Sequence, residues 1–158
     1  MEFRKMRRFK QQLEQEECER ILRTSKRGTL AVLGDGGYPY AVPMNFVYSE
    51  GKIYFHCALE GHKLDAIRSC DKASFNTLDT PVKHNPDDWW YYIKSVTAFG
   101  KISVMPDGDG KIAALTLLGN KYFPSADYTQ KEIDRDLARV NVLCLNIEHL
   151  TGKEVQEK

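Results

Sequence analysis

The chain has 158 residues, enough for one domain whose core needs no disulfide or metal staple. Apolar residues make up 42% and charged residues 28%, an ordinary water-soluble balance, and a formal net charge of +1 gives no global field for nucleic acid or membrane. No apolar run approaches the roughly 18 residues of a membrane helix, and the basic start has no apolar stretch behind it to make a secretory signal. The four cysteines, Cys18, Cys57, Cys70 and Cys144, form no C-x-x-C pair. They read as reduced thiols in a cytoplasm, with no zinc site or disulfide framework.

Five of the first ten residues are basic (Arg4, Lys5, Arg7, Arg8 and Lys10), but the run gives way to "EQEECE". Such alternation marks a solvated helix face rather than a nucleic-acid arm. From about Phe9 to Ser25, Leu13, Cys18, Ile21 and Leu22 follow helical spacing, and "KRGT" is expected to stop that helix at Gly28. "TLAVLG" reads as a buried strand and "DGGY" as a hairpin turn. "YPYAVPMNFVY" is extended, and the missing amides of Pro39 and Pro43 put it at an edge, a bulge or a lip. "SEGK" turns the chain into the returning strand "IYFHCA".

A short helix follows, then "KASFNTLD" as a strand and "TPVKHNPDDWW" as an irregular stretch. "YYIKSVTAFGKISVM" is a long strand with Gly100 as a bulge position. "KIAALTLLGNKY" and "TQKEIDRDLARV" read as helices, and "VNVLCLNIEHLTG" closes the fold as a strand. Antiparallel strands at hairpin spacing with helices as caps predict an α+β, barrel-like single domain over 1–158.

The stretch Ile53–Ile67, "IYFHCALEGHKLDAI", places Gly61, His62 and Lys63 where a strand hands over to a helix. A helix start presents unpaired amides and the positive end of a dipole, and so receives a phosphate readily. Lys63 adds a point charge, His62 a donor, and Gly61 a close backbone approach. On the residues alone, a plain turn and a phosphate seat both stay open.

The segment "GTLAVLGDGGYPYAVPMNFVYSEGKIYFHCALEGHKLDAI" resembles the N-terminal half of the flavin-binding split-barrel superfamily, which contains pyridoxamine 5′-phosphate oxidase. It is more similar to the subgroup of nitroimidazole-resistance proteins. "YPYAVPMNFVY", "IYFHCA" and the Gly-x-Lys-Leu start at Gly61, Lys63 and Leu64 carry the resemblance, and "SVTAFGKI" and "IEHLTGK" extend it over most of the chain.

The resemblance implies a homodimer of antiparallel six-stranded split β-barrels with flanking helices, holding flavin at the dimer interface. FMN is the expected cofactor and FAD the alternative, since one phosphate seat serves both. Lys63 would bind the phosphate, with His62 and the helix amides beside it. Met44, Asn45 and Phe46 would run along the flavin ring, and backbone groups there would meet its pyrimidine edge. His56, Cys57 and Ala58 would lie near the ring or ribityl chain, and Ser95 and Val96 match a strand position that completes the pocket.

Other readings stand beside these. A bond from Asn45 to its own neighbours is an equal alternative, because an unpaired amide is costly to bury. His56 is the one candidate catalytic residue, against an ordinary structural histidine. Cys57 reads as a small buried filler with no evident basic neighbour. One of Trp89 and Trp90, with Trp90 the one assigned to the pocket, would cover flavin across the interface. His84 and His149 read as surface or structural, and Lys153 has no assigned contact.

The C-terminal "LNIEHLTGKEVQEK" has no arginine, so the substrate clamp of pyridoxamine phosphate oxidation is missing. The expected function is a flavin-dependent oxidoreductase acting on a small unidentified acceptor; the alternative is a flavin-binding carrier or sensor without turnover. A nucleic-acid-binding barrel is a third reading, disfavoured by the near-neutral charge and the acidic "NPDDWW".

Overall fold

Buried and exposed side chains alternate along the extended segments, and this period of two builds an antiparallel sheet. The computed structural model describes residues 2–156; Met1, Glu157 and Lys158 of the expected 1–158 domain lie outside the described residues. The strands are β1 (Arg27–Leu33), β2 (Pro39–Asn45), β3 (Val47–Ser49), β4 (Lys52–Cys57), β5 (Lys72–Leu78), β6 (Tyr92–Val104) and β7 (Asn141–Gln156). The helices are α1 (Gln15–Thr24), α2 (His62–Ser69), α3 (Asp109–Tyr122) and α4 (Ala126–Asp136). The sheet order is β2-β1-β5-β6-β7-β4-β3, and neighbouring strands are antiparallel.

The two edges of this sheet, β2 and β3, are one stretch of chain interrupted at Phe46. The chain thus passes from one edge to the other, and the sheet curls into a split barrel. Six strands were expected and seven form, because one segment changes partner partway along. β2 pairs with β1 and β3 with β4. Pro39 and Pro43 fall on β2, the edge position that their missing amides require.

A side chain completes the backbone pairing at the interruption. Tyr122 Oη, at the end of α3, accepts from the Phe46 N–H at 2.9 Å. Its own proton is shared between the carbonyls of Phe46, at 2.8 Å, and Lys26. Phe46 itself is fully buried, and its ring meets Phe75 edge-on at 4.6 Å between centroids. Phe55 meets Phe75 at 5.3 Å, so three aromatic rings centre the core. From α1, Cys18, Ile21 and Leu22 close one side of it at helical spacing.

Two expectations at the N-terminus are corrected. The first helix begins at Gln15 rather than near Phe9. Phe9–Gln11 is a 3-10 turn, and Gln12 and Leu13 take their backbone contacts from Lys153 and Gly152 of β7 instead of from a helix. Gly28 does not stop that helix, which ends at Thr24. It lies in β1, where a Cβ would stand 2.2 Å from the Phe75 ring, so packing and not a helix end demands the glycine. The bulge expected at Gly100 is present, as a register shift between Phe99 and Gly100. Among the described residues, no helix is long and apolar enough to cross a membrane.

Candidate functional site

Val47 stands opposite Tyr54 where β3 pairs with β4. Carried past Phe46, that register would set Asn45 against His56 and Tyr40 against Gly61. By then β2 has turned away to pair with β1, and a split opens between β2 and the β4–α2 segment. At one end of the split, Asn45 and His56 line a single cavity of about 390 Å³. At the other, the rings of Tyr40 and His62 stack with centroids 4.3 Å apart.

The α2 end is shaped by its first residues. Gly61 has φ 130° and ψ 164°, a conformation essentially reserved for glycine. A Cβ at Gly61 would meet nothing within 4 Å, so backbone shape and not crowding calls for the glycine. The first intrahelical bonds run from Leu64 N–H and Asp65 N–H to the Gly61 carbonyl, at 2.8 and 3.3 Å. The amides of His62 and Lys63 precede that ladder, at the positive end of the helix. Leu64, Ala66 and Ile67 anchor the opposite face in the core.

Lys63 is half-buried, and its charge reaches Cys57 at the end of β4. Cys57 therefore has a basic neighbour that the sequence did not reveal. Burial still dominates and pushes the Cys57 thiol up, which keeps it a neutral filler. His62 is held by the β1–β2 turn: its Nε2 accepts from Asp35 N–H at 3.4 Å and lies 3.6 Å from an Asp35 carboxylate oxygen.

The cavity at the other end is lined by Asn45 and His56 on the strands and by Leu115, Leu118, Ile133 and the carboxylates of Glu132 and Asp136 on α3 and α4. Asn45 Oδ1 accepts from Arg27 Nε at 3.4 Å, so its carbonyl is bonded within the chain. His56 is exposed on β4. Ala58 lies two residues on, and its carbonyl accepts from Asn141 Nδ2 at 3.4 Å. Phe46 lends neither side chain nor backbone to the split, because the ring is buried and the peptide groups are bonded to Tyr122. Met44 packs against the core.

The structure thus groups Asn45 with His56, and His62 and Lys63 with Cys57, along one split. Val96 is wholly buried in the barrel. Ser95 faces outward on β6, beside Lys153 of β7, and lines a different groove. Trp90 lies half-buried in the irregular segment before β6, edge-on to the exposed Trp89 at 5.7 Å. Sequence reasoning missed Tyr40 and Tyr122. Leu115, Leu118 and Tyr122 do fall on one face of α3, but that spacing marks a buried stripe without naming what it covers.

A sequence profile described as pyridoxamine 5′-phosphate oxidase matches residues 14–154. The chain belongs to this family, and its fold is that of the flavin-binding split-barrel superfamily. Three solved structures illustrate the likeness. A candidate 5-nitroimidazole antibiotic resistance protein from Bacteroides thetaiotaomicron is 20% identical with a TM-score of 0.76, over 92% of this chain and 87% of that one. An FAD-binding protein from Mesorhizobium loti is 24% identical with a TM-score of 0.64, over 91% and 96%. An FAD- and heme-binding protein from Mycobacterium smegmatis is 23% identical with a TM-score of 0.74, over 94% and 74%. At these identities the likeness speaks for the fold. No curated protein matches the chain in sequence.

Proposed function

We propose that the protein is a flavoprotein that seats the phosphate of FMN at the start of α2 and the flavin ring along the split toward Asn45 and His56. The carrying observation is Gly61, held in a glycine-only conformation over open space beside Lys63. Packing does not require that shape. With Lys63 beside it, the shape leaves the His62 and Lys63 amides uncovered next to a cation, which suits a phosphate. The first phosphate of FAD would fit the same seat. Membership of the family and the FAD-binding proteins that share the fold support the reading.

When bound, the flavin would carry electrons between a donor and a small acceptor, and the protein's part is binding and orientation. Met44 and Asn45 border the ring's place, and His56 is the group positioned to hold or move a proton there. The oxidoreductase role rests on this arrangement and on the family. Leu33 and Leu78, 47% and 55% exposed, share the outer face of β1 and β5. We assign this face to a second copy of the chain, giving a homodimer that completes the flavin pocket. The four cysteines are free thiols, which suits a reducing compartment.

Titration of gently purified protein with FMN, FAD and riboflavin, followed by absorbance, tests the assignment. Lys63→Ala is expected to weaken FMN roughly tenfold and leave riboflavin nearly unchanged, since a charge-assisted contact to phosphate is at stake. Equal losses for both ligands would remove Lys63 from the phosphate. Failure to bind either FMN or FAD would end the flavin reading, and a stable monomer of full flavin affinity would end the interface pocket.

A further inference from the structure

The N-terminal arm, ahead of α1, lies along the outer face of β6 and β7. Phe3 stacks on the His149 ring at 4.6 Å, with 5° between the planes, and reaches Phe99 at 5.8 Å. Leu13 N–H bonds the Gly152 carbonyl at 2.9 Å. A Cβ on Gly152 would stand 2.6 Å from Cys18 Sγ and 3.0 Å from Leu13 Cδ1, so this glycine lets the arm and α1 lie close to the sheet.

A groove of about 320 Å³ is formed there. Its lining carries Arg4, Lys5, Arg7 and Lys153 together with the hydroxyls of Ser95, Thr97 and Thr151, and includes no carboxylate. None of the ion pairs formed among the described residues involves any of these four cations. The whole chain carries only +1, so the groove concentrates positive charge that is balanced elsewhere on the molecule.

We propose that this groove binds the diphosphate of a nucleotide, with adenosine diphosphate as the smallest complete ligand. Four uncompensated cations suit two linked phosphates better than one. Two of them are arginines, whose planar forks grip phosphate oxygens in pairs. Thr97 Oγ1 accepts from Asn76 Nδ2 at 2.8 Å, which leaves its own proton to donate. Ser95 and Thr151 flank it on the paired strands. The volume lies at the low end of small-ligand clefts, ~300–1,000 Å³, and exceeds what a single phosphate fills. Phe99, partly exposed beside Thr97, offers a flat apolar surface for the base. The groove also gives a role to Lys153, whose chemistry the flavin seat does not use.

The same diphosphate occurs in the adenylate half of FAD and in a nicotinamide dinucleotide that would act as reductant. The inference is separable from the flavin reading, because its probe, adenosine diphosphate, carries no flavin. Calorimetric titration of the full chain compares the native protein with Arg4→Ala/Arg7→Ala, Lys153→Ala and, as a reference, Lys63→Ala. Adenosine diphosphate is expected to bind, and to weaken as salt rises from about 50 to about 200 mM. The arm double variant and Lys153→Ala each lose roughly tenfold in affinity, and Lys63→Ala loses none. Circular dichroism checks that the variants remain folded; Arg4, Arg7 and Lys153 are exposed side chains.

Loss of FAD affinity with FMN spared would identify the cofactor's adenylate as the occupant. Loss of NADH affinity with FAD spared would identify the reductant. Absence of adenosine diphosphate binding, or equal affinity in the groove variants, overturns the proposal. An equal loss in Lys63→Ala also overturns it, by moving the diphosphate to α2. Tight binding of a single-stranded oligonucleotide without adenosine diphosphate binding would make the arm a nucleic-acid contact instead.

Discussion

Tyr122→Phe removes one oxygen atom from α3 and tests how the barrel is split. That oxygen is the partner of both peptide groups of Phe46, at 2.9 and 2.8 Å, and also reaches the Lys26 carbonyl. Phe46 is fully buried, so its N–H and C=O have no direct route to bulk solvent. A buried polar group left without a partner costs ~1–3 kcal/mol, and two such groups set an upper bound near twice that. Tyr122 also lines the 390 Å³ cavity, so a water molecule entering from it would recover part of the loss. The expected destabilisation is therefore ~1.5–3 kcal/mol, or a Tm lower by about 3–10 °C for a chain of this size. Urea unfolding would show it as a lower midpoint with an unchanged slope. Hydrogen exchange gives the local readout: the Phe46 amide should exchange about tenfold faster for each ~1.4 kcal/mol of local protection lost. A loss below ~0.5 kcal/mol with unchanged Phe46 protection would refute the claim that Tyr122 completes the backbone pairing at Phe46.

Two further substitutions read out other parts of the molecule. Gly61→Ala should cost ~1–3 kcal/mol in urea unfolding through backbone strain alone, since the space beside it is open, and should weaken FMN more than riboflavin; a neutral effect would mean that the helix start readily adopts another shape. Glu17 bonds Arg20 and Lys94, which hold its carboxyl near 2, below its ordinary value of 4.5. Because the folded value is the lower one, this stabilisation is present above about pH 4.5 and is lost as pH falls toward 2. The pairs are partly solvated, so Glu17→Gln should cost only ~1 kcal/mol at neutral pH. The gap between variant and native protein should close near pH 2, and a gap that persists there would assign the effect to packing rather than charge.

Much of this architecture is legible in the residue order. Alternation in "KIYFHC" and "KASFNTL" marks strands with one buried face, and the prolines of "YPYAVPMN" mark the edge. What the sequence hides is contact between distant segments. "MNFVY" carries no sign that a single strand would change partner at Phe46, where the hydrogen-bond partner is a tyrosine 76 residues later in the chain. Likewise Gly28 looks like a helix stop until Phe75 is seen against it. At the site, Gly61, His62 and Lys63 are found from local helix-start chemistry. The pairing of Asn45 with His56 is not, because it depends on two strands that lie near each other without bonding. Likewise nothing in the basic run at the N-terminus says that Lys153 and three hydroxyls lie on the two strands beside it.

The place where the barrel stays open carries a hazard as well as an opportunity. An exposed edge offers its peptide groups to any extended chain, and such pairing is how aggregates begin. β2 occupies that edge with prolines at positions 39 and 43, which give an incoming strand no amide to accept from at either point. A rigid planar molecule lying against the edge is not hindered by those missing donors, whereas a growing ladder of strands is. The two prolines therefore act as a filter, keeping the opening accessible to a small ligand while denying it to another polypeptide.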